Sequence, residues 1–177
     1  MGDAPGRDGS QVRRLVLLRH SKSSRDQGLP DAERPLSSRG RRDAAAAGSW
    51  LASHVGRPDL VLCSPSVRTR QTWARACEAE PDVLGPAPVR LEPTIYEAWS
   101  DTLLDLARAV PDDVATVVLV GHGPGLPDLA ARLNQVSGDG PLGKFRTSAV
   151  ASFLVYARWA GLGPGTAALT AYEVPRG

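Results

Sequence analysis

Leu15-Val16-Leu17-Leu18-Arg19-His20-Ser21 is an apolar run of strand length that delivers an arginine and a histidine side by side. The design recurs in kind twice. Leu60-Val61-Leu62-Cys63 leads to Ser64-Pro65 and then Arg68, and Val117-Val118-Leu119-Val120 leads to Gly121-His122. These β-rich runs, at about 14–19, 59–63 and 115–121, alternate with segments of helical composition, which predicts a parallel α/β sheet with right-handed crossovers. In open sheets of that kind ligands bind beyond the carboxyl ends of the strands. Arg19, His20, Arg68 and His122 are therefore expected to converge although they lie far apart in the chain.

The segments between the strands fill in the rest. A first helix is expected from Ser37 or Ser38, where a hydroxyl can cap exposed amides, through His54, and Gly56 and Pro58 stop it. A second should cover about Ser66 to Glu80, with Arg68 in its first turn and Pro81 ending it. A short strand is read at Val89-Arg90-Leu91, and helical spacing over Thr102 to Val110. Gly121-His122-Gly123-Pro124-Gly125 lets backbone approach a ligand closely, and Leu126, Leu129, Ala130 and Leu133 form one helical face after it. Ala149 to Tyr156 and Ala167 to Val174 read as an antiparallel pair.

The chain of 177 residues, 42% hydrophobic and 23% charged, suits one globular α/β domain over 13–177 behind a flexible leader, residues 1–12. A formal charge of +2 argues against a general nucleic-acid surface. No apolar stretch approaches a membrane span and the N-terminus lacks a signal-peptide core. Cys63 and Cys77 have neither CxxC spacing nor a secreted pattern, so a cytoplasmic location is expected.

Each candidate residue also has a bland reading. Arg19-His20 alone could be a strand-end cap and a satisfied histidine, and Arg68 alone a solvated side chain of a helix start. Together, two arginines offer planar forks for phosphate oxygens, and a neutral imidazole can attack phosphorus. That is a sufficient set for phosphoryl transfer without a metal.

Leu18-Arg19-His20-Ser21-Lys22-Ser23, Arg34-Pro35-Leu36-Ser37-Ser38-Arg39-Gly40, Ser64 to Thr72 and Val120 to Leu126 make the chain resemble the histidine phosphatase superfamily, which includes phosphoglycerate mutases. More narrowly, it is similar to the small branch typified by the phosphohistidine phosphatase SixA. The resemblance implies a three-layer α/β/α sandwich with a mostly parallel central sheet. It implies that His20 is the phosphorylated nucleophile, that Arg19 and Arg68 hold the phosphoryl oxygens, and that His122 completes the pocket. No metal or other cofactor is implied.

Ser21 stands where the family commonly has glycine, and a small side chain is kept. Ser21 and Lys22 are expected to contribute to substrate binding, although a solvated basic loop also explains Lys22. Glu97, in Ile95-Tyr96-Glu97-Ala98-Trp99, is either the proton donor to the leaving group, in which case burial should raise its pKa, or a helix N-terminal carboxylate. The expected substrate is phosphohistidine on a protein. Alternatives are small phosphate esters, or a phosphate-binding regulatory module without turnover.

Overall fold

A computed structural model describes residues 12–25, 28–134, 142 and 144–177; the expected leader, apart from Val12, lies outside them. Four strands are parallel: β1 (Arg13–Arg19), β2 (Leu60–Cys63), β3 (Val89–Leu91) and β4 (Thr116–Gly121). β5 (Val150–Val155) runs antiparallel to β1, and β6 (Ala167–Glu173) antiparallel to β5. The sheet order is β3-β2-β4-β1-β5-β6. The helices are α1 (Ser38–His54), α2 (Val67–Ala79), α3 (Ser100–Arg108) and α4 (Gly125–Asn134).

The central strands read as continuous apolar runs because both of their faces are covered. Their side chains alternate between two cores. Leu15, Leu17, Val117 and Leu119 pack with Leu103 and Leu104 of α3, Leu126 and Leu129 of α4, and Trp159. Val16, Leu18, Val118 and Val120 face the other way, onto Ala47 and Leu51 of α1 and Trp73 and Ala76 of α2. This is the expected α/β/α sandwich. A glycine lets α1 and α2 approach closely, since a Cβ on Gly48 would fall 2.6 Å from the Ala76 backbone.

Helix starts follow the sequence reading closely. Ser37 caps α1 by accepting from the Gly40 amide at 3.0 Å. The chain that leaves β1 rests directly on this cap: Ser37 N and Oγ both donate to the Lys22 carbonyl, at 2.9 and 3.0 Å. A Cβ on Gly40 would fall 2.0 Å from that same oxygen. α3 departs from expectation, beginning at Ser100 and ending at Arg108 instead of spanning Thr102 to Val110. A 3-10 turn, Trp159–Gly161, interrupts the connection between β5 and β6.

Register positions the site. Arg19 lies opposite Gly121 across the β1–β4 pair, and Cys63 lies opposite Val120 across β2–β4. The residues that follow each strand, His20, Ser64 and His122, therefore emerge at one level along one edge of the sheet. Among the described residues no helix is long and apolar enough to cross a membrane.

Candidate active site

His20 leaves β1 with its backbone fixed on both sides, its amide donating to Gly121 O (2.9 Å) and its carbonyl accepting from Ser148 N (3.2 Å). The ring is buried, and Nδ1 lies 2.8 Å from the Ser21 carbonyl. A carbonyl can only accept, so this contact places the ring proton on Nδ1 and the lone pair on Nε2. Burial, followed by the field of Arg68, Arg19 and Arg34, lowers the His20 pKa to about 4 against the opposing effect of the Ser21 bond. The His20 ring is thus neutral at physiological pH, with an unshared pair on Nε2.

His122 lies beside it, the two ring centroids 5.2 Å apart. Its Nε2 is 2.8 Å from Ser64 Oγ, while its Nδ1 is buried without a hydrogen-bond partner. When Ser64 donates its hydroxyl proton to Nε2, the ring proton resides on Nδ1, and the unpartnered atom becomes a donor. Burial first, then His20 and Arg68, lower the His122 pKa to about 3. With Ser64 as the donor, the two imidazoles take complementary tautomers, one offering a lone pair and the other an N–H.

Arg19 donates from Nη1 to Phe145 O at 2.5 Å, and its Nε is buried without a partner. The turn after β4 closes on this side chain, for a Cβ on Gly123 would fall 3.3 Å from Arg19 Cζ. Burial lowers the Arg19 pKa, although the residue stays cationic. Buried polar groups nearly always have partners. Orphan N–H groups on Arg19 and His122, beside a neutral histidine and two arginines, suit the oxygens of an anionic ligand.

Arg68 is buried, unlike a solvated helix-start arginine. It reaches from the first turn of α2 to the Asp31 carbonyl (2.5 Å) and Asp31 Oδ2 (2.8 Å), and its guanidinium lies 5.8 Å from the Tyr96 ring centroid. The Tyr96 ring in turn meets His122 edge-on at 5.5 Å. Arg19, His20, Arg68 and His122 are thus drawn together by β1, β4 and α2 as the sequence predicts.

The other expected residues are placed differently from one another. Ser21 is fully buried; its amide donates to Thr72 Oγ1 (2.9 Å), its hydroxyl pairs with Ser148 Oγ (2.6 Å), and its carbonyl orients His20. Lys22 is exposed, with its carbonyl on Ser37. Glu97 is exposed on the loop before α3, with φ 57°, so the burial expected of a proton donor is not found. Nor does it serve as a first-turn carboxylate: it precedes the N-cap Trp99, and Asp101 occupies that turn. It sits between the 3-10 turn Pro93–Ile95 and the start of α3.

Sequence reading missed Ser64, Asp31, Tyr96, Thr72 and Ser148. Ser64 carried a signal, since it is the first residue after β2 as His20 is the first after β1. Asp31 carried none, because two of its partners, Arg68 and Tyr96, lie 37 and 65 residues away. Replacing Ser64 by alanine leaves His122 free to adopt either tautomer and removes a buried hydrogen bond worth about 1–3 kcal/mol. The expected result is a fall in kcat/KM on a phosphate ester of about 5- to 100-fold, with the thermal midpoint lowered by about 2–12 °C; an unaltered kcat/KM would remove Ser64 from the site.

A family model of the histidine phosphatase superfamily (branch 1) matches residues 15–100. An uncharacterized protein of Mycobacterium tuberculosis is 38% identical over 165 residues, covering 90% of this chain and 100% of the relative. The chain belongs to the histidine phosphatase superfamily and is a phosphatase of that class. Within it, the fold is similar to a protein from Nakamurella multipartitia described as a candidate phosphohistidine phosphatase SixA, at TM-score 0.80 and 33% identity over 93% of this chain and 96% of that one. A candidate phosphohistidine phosphatase SixA from Agrobacterium tumefaciens matches at TM-score 0.75 and 27% identity, covering 92% and 98%.

Proposed function

We propose that this phosphatase works through a phosphohistidine intermediate on His20 and that its substrate is phosphohistidine carried on a protein. The observation that carries the mechanism is the pair of imidazoles 5.2 Å apart, beside buried nitrogens of Arg19 and His122 that have no hydrogen-bond partner. His20 Nε2 attacks phosphorus; the bond from phosphorus to the leaving nitrogen breaks, and its electron pair goes to that nitrogen, so that a substrate ring protonated by solvent on its other nitrogen leaves as neutral imidazole. Arg19, Arg68 and the Nδ1–H of His122 hold the phosphoryl oxygens and stabilise charge that grows in the transition state. Water then attacks the phosphorus of phospho-His20, releasing inorganic phosphate and restoring the neutral ring. No step in this scheme calls on a metal.

Two considerations favour a protein phosphohistidine. A leaving imidazole needs less help from an enzyme acid than an alkoxide does, and Glu97, the sequence's candidate donor, is exposed. The relatives described as SixA-like point the same way. Ser21 then acts from the interior, through the carbonyl that orients His20, and Lys22 at the surface as an exposed cation attracting the phosphorylated partner. The free thiols of Cys63 and Cys77 suit a cytoplasmic setting.

The decisive comparison is kcat/KM on a phosphohistidine-bearing protein against a panel of sugar, nucleotide and aryl phosphate esters. Preference for the protein is expected. Faster turnover of an ester identifies a phosphomonoesterase instead, and saturable phosphate binding without release identifies a non-catalytic module.

The protonation states can be checked separately. Both rings are expected to remain neutral at pH 6 in an NMR titration of the unliganded protein, with the His20 transition centred near pH 4 and that of His122 lower still. The sign follows from burial among arginines, which penalises the cation: the nucleophilic lone pair is present above that pH and is lost below it. A midpoint for His20 at or above the ordinary 6.5 contradicts the assignment.

A further inference from the structure

The Asp31 turn joins three segments that surround the four-residue site. Its carboxylate accepts from Arg68 Nη2 (2.8 Å), from the Tyr96 hydroxyl (2.9 Å) and from Arg34 Nη1 (2.8 Å), while its backbone carbonyl accepts from Arg68 Nη1 (2.5 Å). Arg34 is itself tied to the chain leaving β1, donating from Nη2 to Ser23 Oγ (2.8 Å) and from Nε to Ser24 O (3.2 Å). The network thus runs from the loop after His20, through Arg34 and Asp31, to Arg68 on α2 and Tyr96 before α3.

The pattern of atoms on Arg68 is informative. A guanidinium has five N–H donors, and Asp31 takes one from each terminal nitrogen, leaving Nε–H and two further N–H groups. The fork is held at one edge and remains open to an oxygen at another. Arg68 is buried whereas the Asp31 carboxylate is half exposed, so the turn grips the arginine from the solvent side. Hydrogen bonds from Tyr96, Arg68 and Arg34 outweigh the effect of burial and bring the Asp31 pKa down to about 2, so the carboxylate is ionised throughout the working range.

We propose that Asp31 is a positioning residue for the phosphatase reaction: with Tyr96 it fixes the Arg68 guanidinium so that the donors it leaves free meet the phosphoryl oxygens. This rests on the reading of Arg68 as a phosphate ligand. A long arginine side chain loses rotamer entropy when it is clamped before the substrate arrives, and that cost is then not met on binding.

The test is a double-mutant cycle read by the affinity for inorganic vanadate, with kcat and KM measured on an aryl phosphate. Asp31→Ala should weaken vanadate binding at least tenfold and reduce kcat as well as raise KM. In an Arg68→Ala background the same change should have little further effect, because the residue acts only through Arg68. Asp31→Asn keeps the shape and one acceptor oxygen and should lose several-fold, between wild type and Asp31→Ala; it also serves as the probe if Asp31→Ala fails to fold. Tighter or unchanged vanadate binding in both Asp31 variants overturns the proposal, the former by showing that Asp31 competes with the anion. Losses that add to that of Arg68→Ala also overturn it, since a general loosening would behave in that way. If Arg68→Ala alone leaves vanadate binding intact, the assignment of Arg68 has failed instead.

Discussion

Replacing His20 by alanine is expected to abolish phosphate release, with a fall in kcat on the order of 10⁴-fold or more, as for loss of a covalent nucleophile. The expectation comes from the way the ring is prepared. Its backbone is held at both ends, its proton is fixed on Nδ1 by the Ser21 carbonyl, and burial among arginines keeps it neutral. No other described side chain combines a free lone pair with this setting: His122 Nε2 is engaged by Ser64, and His54 lies at the end of α1, its ring stacked on Trp50 at 4.4 Å. Brief incubation of the wild type with a labelled phosphate donor should leave an acid-labile, base-stable phosphoryl group on the protein, absent from His20→Ala. A label that persists in the variant, or residual turnover near the wild-type rate, places the nucleophile elsewhere. Stability should not fall with activity, because the ring lies at the edge of the sheet and outside both apolar cores.

The second large effect is expected at Arg19. Lysine at this position keeps the charge but loses the planar fork, so the Nε–H that the fold leaves unpartnered has no counterpart. Loss of one preorganised donor to the transition-state oxygens is typically worth about 10²–10³ in rate. kcat/KM for Arg19→Lys should fall by that factor, with weaker vanadate binding in parallel. The contact from Nη1 to Phe145 O is structural, and its loss should cost about 1 kcal/mol of stability. A variant that loses stability but keeps its kcat/KM would make Arg19 a strand-end cap, the bland reading of its position in sequence.

Much of the molecule is legible in its sequence because the signals are local. An apolar run covered on both faces has no polar alternation, so β1, β2 and β4 declare themselves, and a hydroxyl ahead of an alanine-rich segment marks the start of α1. The four residues of the site follow from the rule that parallel strands present their carboxyl ends to the ligand. The bounds of α3 were less legible. Trp99, its N-cap, gives no side-chain hydrogen bond to advertise the helix start.

Glu97 shows where local reading ends. An acidic residue shortly before a helix suggests a carboxylate either buried for chemistry or resting on a helix dipole, and the positive φ of the loop turns it to solvent instead. Ser64, Asp31 and Tyr96 are the converse, ordinary in sequence and central in space. A serine before proline resembles any strand end until the β2–β4 register sets it 2.8 Å from His122.

The sequence by itself determined which strands would be buried, where they would end, and that two arginines and two histidines would share one edge of the sheet. These are properties of hydrophobic periodicity and chain direction, and they need no knowledge of neighbours. Only the tertiary structure decided the hydrogen-bond partners of each imidazole, the grip of Asp31 on Arg68 and the exposure of Glu97. Those depend on hydrogen-bond partners and burial supplied by residues tens of positions away, and interactions of a few ångströms are not encoded in the order of residues along a strand.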